Sequence, residues 1–330
     1  MYKYCLYTFL TFIFFISCST NKKYPTSKAE VLSYEQSDGR LKVMMNGVEI
    51  WGHQYEVMVP PAGVNPAFAR SGFNHPVKTP SGKLLTWIQA PDHYHHYGIW
   101  NPWTHVQYDG DTLDFWNLNG KQGTVKWEAF TSIKKQKNGL SYEAVHDHVR
   151  LRKSEETALV EKQGILIEPI SKDEYLVNFD SYYECGTDKA FKILEYRYAG
   201  FGWRCTQEWN KDNSMVLTSK NIERKGADGT RAKWILVQGT LGDGYGGILM
   251  MSDPSNYNHV PNEGEPIRIW PENSNGRGDM FANFSPTKNM DWLLEPGKKY
   301  HLGYKLLVFD GKYDFDMAEA AYNKYLATNK

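Results

Sequence analysis

The densest chemistry in this sequence lies in Pro91-Asp92-His93-Tyr94-His95-His96-Tyr97-Gly98-Ile99-Trp100, where three of the ten histidines fall within four positions. Imidazole ionises near pH ~6.5, so it can act as acid, base or metal ligand close to neutrality. In an extended segment His93 and His95 face one way and His96 the other, and a turn can converge two of them with Asp92. His93 and His96 are the candidate acid–base groups, with Asp92 orienting an imidazole. His95 and Trp100 are candidate substrate contacts, as are His75, which precedes a possible turn at Pro76, and His259 in a long polar loop. No HExxH or paired-cysteine pattern accompanies the cluster. No metal ligand is therefore assigned and no cofactor is required, although a divalent ion can be held where several of these side chains meet.

A second constellation is Tyr196-Arg197-Tyr198-Ala199-Gly200-Phe201-Gly202-Trp203-Arg204. Its glycines permit tight backbone geometry, and Arg204 can clamp a carboxylate or an oxygen-rich sugar through its fork of donors. It lacks the third glycine of a dinucleotide loop and the lysine of a phosphate loop. The chain also holds 11 tryptophans, 22 tyrosines and 15 phenylalanines, flat rings of the kind that cover the apolar faces of sugars or fill a core. Trp234, Trp270, Trp292 and Tyr257 are candidate platforms. Two-carboxylate glycoside hydrolysis needs acids about 5 Å or about 6.5–9.5 Å apart. With 38 acidic residues the pair cannot be named, and Glu184, Glu195 and Glu208 are only possible members.

The segments that must position these residues read as strands. Leu41 to Met45 and Val48 to Trp51 flank Asn46-Gly47, a hairpin signal. Further candidates are Val125 to Ile133, Leu140 to Val149, Ala158 to Glu168, Tyr175 to Tyr183, Ala232 to Gln238, Tyr245 to Met251 and Tyr300 to Phe309. Only Phe315 to Leu326 reads as a convincing helix. The predicted fold class is all-β: a large antiparallel β-sandwich with a short C-terminal helix.

Residues 1–17 read as a signal peptide ending in Phe15-Ile16-Ser17-Cys18, which resembles a bacterial lipobox and marks Cys18 for lipidation. Residues 18–28 would be a flexible tether and 29–330 a single β-sandwich domain. A lipid-anchored protein of the bacterial cell envelope follows, on the periplasmic side rather than the cell surface, touching the membrane only through its lipid. Lys plus Arg and Asp plus Glu both number 38, which argues against a nucleic-acid partner. Cys185 and Cys205 could form one disulfide or remain two thiols.

Several motifs together resemble the bacterial family labelled methane oxygenase PmoA. They are His75-Pro76, Thr79-Pro80-Ser81-Gly82, Asp92-His93-Tyr94-His95-His96, Gly200-Phe201-Gly202-Trp203-Arg204, Tyr245-Gly246-Gly247-Ile248 and Leu306 to Gly311. That label is not a function here, since particulate methane oxidation needs membrane-spanning subunits. The resemblance implies a β-supersandwich similar to galactose-mutarotase-like, carbohydrate-processing proteins.

The leading expectation is a carbohydrate-active enzyme acting on an oligosaccharide or polysaccharide fragment by glycoside hydrolysis with His/Asp acid–base groups. The alternatives are a non-catalytic glycan-binding lipoprotein, a sugar lyase, and a metal-dependent hydrolase or oxygenase. All place the imidazoles of residues 93–96 on a sugar-sized hollow that Arg204 also reaches.

Overall fold

Asn46 and Gly47 both take positive φ, 52° and 86°, and join strands Arg40–Met45 and Val48–Gln54 in the expected hairpin. Left-handed geometry at both turn positions matches the twist of the strands they connect. The computed structural model describes Met1 and residues 31–326. The segments expected as signal peptide (beyond Met1) and tether, with Cys18, lie outside the described residues.

Two antiparallel sheets dominate. A nine-stranded sheet runs, in spatial order, Leu32–Ser37, Arg40–Met45, Val48–Gln54, Phe73–Val77, Ile99–Trp100, Gly202–Arg204, Phe281–Phe284, Glu265–Ile269 and Arg231–Ala232. An eight-stranded sheet runs Gly123–Gln136, Gly139–Arg150, Glu156–Ser171, Glu174–Cys185, Tyr300–Asp310, Gly244–Ser252, Trp234–Leu241 and Ser214–Thr218. A four-stranded sheet and a two-stranded ribbon, Ile88–Ala90 with His93–Tyr97, complete the architecture. The fold is the all-β sandwich that the sequence predicts, with helix Phe315–Leu326 at its C-terminal end. The four-residue helix Arg224–Ala227 is an addition the sequence does not signal.

Side-chain alternation explains why the central strands are apolar on both faces. In Tyr300–Asp310, Leu306 and Val308 enter the core between the two large sheets, while Leu307 and Phe309 point the other way. There they meet Ala318, Ala321, Tyr322 and Leu326 of the C-terminal helix. Each fully buried leucine contributes ~1.5–3 kcal/mol, so these central strands, covered on both faces, are strongly held. The nine-stranded sheet repeats this arrangement. Ile99, Trp203 and Ala282 face the main core, whereas Trp100 and Phe281 face outward into a smaller aromatic cluster with Phe73, Tyr97 and Trp116. The histidine ribbon lies over that outer cluster, contributing Tyr97 to it and Ile88 at its margin.

The sandwich interior carries charge that sequence alone does not reveal. Glu161 is buried and accepts from Ser181 Oγ at 2.6 Å and Asn101 Nδ2 at 3.2 Å, with His148 Nε2 at 3.4 Å. Burial pushes its carboxyl up, but His146 and His148 outweigh this and hold it well below the usual carboxylate range. Cys185 and Cys205 are free thiols, so the disulfide alternative does not hold. Among the described residues no helix is long and apolar enough to cross a membrane.

Glu265 is buried differently. Asn256 Nδ2 donates to it at 2.6 Å and Tyr304 Oη at 3.3 Å, yet burial dominates and pushes its pKa up to about 8. Folding therefore favours its protonated form. Between the unfolded value of 4.5 and about 8 the native state keeps a proton that the unfolded chain has lost, so stability falls as pH rises. The slope is ~1.4 kcal/mol per pH unit. Glu265→Gln, an isostere of the protonated acid, is expected to flatten this decline. Urea midpoints at pH 5 and pH 8 check it, and an unchanged slope in the variant would reject the assignment.

Candidate functional site

Gly98 ties the histidine ribbon into the nine-stranded sheet. Its N–H donates to Trp87 O at 3.0 Å, and its carbonyl accepts from Arg204 N at 2.8 Å. With φ at 61°, a Cβ here would lie 2.4 Å from Asn74 O, so only glycine fits the crossing. The ribbon is irregular, with a register shift between Ile88 and Ala90 and positive φ at Gln89. Such short, bulged pairs twist strongly. Strict alternation is lost, and His96 joins His93 and His95 instead of facing away.

The three ring centroids stand 4.7 to 5.3 Å apart, and one ligand nitrogen from each ring lies within 4.8 Å of the others. Two nitrogens on one zinc ion are about 4.2 Å apart at most, so side-chain rotation can bring this set together. His96 is buried against Trp100, Phe281 and Trp270, and its Nδ1 has no hydrogen-bond partner. Burial, then the neighbouring His95, Arg204 and His93, holds its pKa well below the usual value. Burial followed by His93 lowers His95 to about 4. Both rings are neutral at pH 7 and offer lone pairs. His93, His95 and His96 can therefore hold a divalent metal ion.

His93 is fixed from behind. Its Nδ1 is 2.7 Å from Asp92 Oδ2. A carboxylate only accepts, so Nδ1 carries the hydrogen and Nε2 is left as the lone-pair nitrogen. Asp92 also accepts from Arg204 Nη2 at 3.0 Å and Asn275 Nδ2 at 2.7 Å. Burial would raise its pKa, but His93, Arg204 and Asn275 keep it well below the carboxylate range. The same Arg204 and Asn275 atoms serve Asp279, at 3.0 and 2.8 Å. The Arg204 guanidinium lies between the rings of Trp87 and Trp270, 4.8 and 4.6 Å from their centroids.

In front of the imidazoles is a cavity of about 290 Å³, with Trp116, Trp270 and Phe281 among its walls. Asn117, Tyr198, Ser274 and Asn275 supply hydrogen-bonding groups, and Arg197 and Arg268 supply positive charge. Among the described residues no carboxylate lines it. Sites of this kind, apolar with a few convergent polar groups, commonly start near ~300 Å³.

The expected constellation is thus only partly assembled on the cavity wall. His93, His95 and His96 line it, with Asp92 one step behind. Arg204 is wholly buried and off the wall, so the expected direct clamp becomes a support that positions Asp92. Trp100 is also wholly buried, beneath His96. His75 bonds Thr86 Oγ1 at 2.8 Å and lies off the wall, with burial lowering it to about 4. His259 sits near Ser252, also off the wall. Of the candidate platforms only Trp270 lines the cavity. Trp234 is buried and donates to Glu319, and Trp292 stacks on Tyr257 elsewhere. Glu184, Glu195 and Glu208 are not on the wall. Arg268, Asn275 and Trp116 stand in sequence contexts that carry no motif pointing to the cavity. The polar run after Trp270 was the one available signal for Asn275.

Residues 40–323 match a family described as "Family of unknown function (DUF6807)". The chain belongs to that family. No curated protein matches this DUF6807 member. Among solved structures it is similar to a mutant of heparan sulfate lyase HepC from Pedobacter heparinus, with 10% identity and a TM-score of 0.37. The unmutated HepC gives 10% identity and a TM-score of 0.34. Each comparison covers 87% of this chain and 36% of the other, so the chain spans little more than a third of those lyases. Of what the resemblance to PmoA-labelled and mutarotase-like proteins implies, the all-β sandwich is the part this structure bears out.

Proposed function

We propose that this protein is a metal-dependent carbohydrate-cleaving enzyme whose centre is His93, His95 and His96. The observation that carries the reading is the meeting of three ligand nitrogens within 4.8 Å in the wall of a cavity that, among the described residues, no carboxylate lines. Hydrolysis by a carboxylate pair would need two acids at the substrate, and among the described residues this wall supplies none. A divalent ion held there would supply a Lewis acid and bring the pKa of coordinated water toward ~7. The chain's own groups do the rest. Asp92 fixes the His93 tautomer, and Trp116 and Trp270 offer faces to a sugar ring. Burial raises the Tyr198 phenol to about 12, so it remains a hydrogen-bond donor at neutral pH.

Elemental analysis of protein purified from metal-replete medium is expected to find close to one divalent ion per chain. A strong chelator should abolish cleavage in an oligosaccharide screen, and added zinc or manganese should restore it. Product masses separate hydrolysis, which gains one water per cleavage, from elimination, which conserves mass. Cleavage that survives complete metal removal would overturn the reading. An envelope lipoprotein acting on glycan fragments remains our proposal for its setting, motivated by the Phe15-Ile16-Ser17-Cys18 segment.

A further inference from the structure

Two arginines line the histidine cavity, and the charge around them does not balance. Arg197 lies in the loop after strand Phe191–Ile193, with its guanidinium 5.7 and 5.5 Å from the ring centroids of Tyr196 and Tyr198. It is exposed, and among the described residues no carboxylate or hydrogen bond engages its guanidinium. Arg268 comes from strand Glu265–Ile269 on the nine-stranded sheet. Its Nη1 pairs with Asp228, while its buried Nε has no partner among the described residues.

A third cation stands behind them. Lys288 Nζ donates to the Arg197 carbonyl at 3.1 Å. Burial depresses its pKa first. Asp228 opposes that, and the charges of Arg268 and Arg197 add to the depression. Asp228 thus pairs with Arg268 and acts on Lys288, Arg197 has no such partner among the described residues, and the two arginines face the cavity. Arg197 is held on aromatic faces without a counter-ion, so it meets an incoming anion at little cost in ordering.

We propose that Arg197 and Arg268 form a carboxylate subsite inside the histidine cavity, so that the sugar taken there is an acidic one. This rests on reading the cavity as a carbohydrate site and adds its substrate class. The planar guanidinium fork matches a carboxylate in two parallel hydrogen bonds, which a neutral hydroxymethyl group at the same ring position cannot reproduce. Acid recognition passes from Arg204, which is sealed between Asp92 and Asp279, to these two side chains on the wall.

Calorimetric titration of the full chain with uronate trimers (galacturonate, mannuronate, glucuronate) and their neutral hexose counterparts tests the proposal, with zinc content measured on the same samples. At least one acidic trimer is expected to bind about 10- to 100-fold tighter than its neutral counterpart, a gap that narrows as salt rises. Arg197→Gln should erase most of that difference. Arg197 is exposed and outside any ion pair, so this variant should keep the parent's melting midpoint. Arg268→Gln should act in the same direction, and Arg268→Lys should restore part of the loss. Equal affinity for every acidic and neutral pair, or an acidic preference unaffected in both glutamine variants, overturns the subsite. Bound zinc without acid preference rejects the subsite and spares the metal reading. Acid preference in a chain that never takes up metal does the reverse.

Discussion

Replacing His95 and His96 together by alanine is expected to strip the protein of divalent metal, weakening binding by more than about 100-fold. Loss of an outer-shell partner alone commonly costs ~10–100-fold in metal affinity, and here two of three nitrogen ligands disappear. The measurement is metal stoichiometry after dialysis against a weak competing chelator. His96 is packed against Trp100, Trp270 and Phe281, so its truncation also opens a gap and lowers stability. The single variant His95→Ala separates the two effects, because His95 is only partly buried and its removal should take metal and leave the melting midpoint nearly unchanged. A double variant that still binds one ion per chain at parental affinity would place the metal elsewhere and remove the basis of the proposed chemistry.

Some of this was legible in the residues and some was not, for reasons that are physical. Asn46-Gly47 announced its hairpin because few other residue pairs accept positive φ twice. The run Leu306 to Phe309 announced a strand but not its two covers, since one face meets a sheet and the other a helix distant in sequence. His93 and His95 were readable as a same-face pair by alternation. His96 was not, because its convergence depends on the twist and bulge of a ribbon whose irregularity lies at Gln89. The inward pairing of His146 and His148 with Glu161 was equally hidden, because buried charge is set by cross-strand register and not by local pattern. Arg197 stood in a motif already singled out, whereas Arg268 joined it only through a crossing of strands that no spacing encodes. The donor chemistry of Arg204 suits a substrate, but its depth in the fold gives it a different task.

That task leads to the second large expectation: Arg204→Met should destabilise the fold by about 3–5 kcal/mol, the usual cost of removing one partner from a buried ion pair. The single Nη2 of Arg204 reaches both Asp92 and Asp279 at 3.0 Å, and Asn275 bridges the same two carboxylates. Methionine keeps much of the volume between Trp87 and Trp270 but removes the charge that links the two carboxylates, leaving Asn275 as their bridge, Arg277 on Asp279 and His93 on Asp92. A substrate clamp on the cavity wall would behave otherwise, raising KM and leaving the denaturant midpoint in place. Arg204→Lys should fall between these limits, because an ammonium can reach one carboxylate but cannot lie flat between two indoles. Because Asp92 also fixes His93, metal affinity should drop along with stability in Arg204→Met. Parental stability in that variant would show that the Asp92–Arg204–Asp279 link does not hold the ribbon to the sheet, and the histidines would need another source of their alignment.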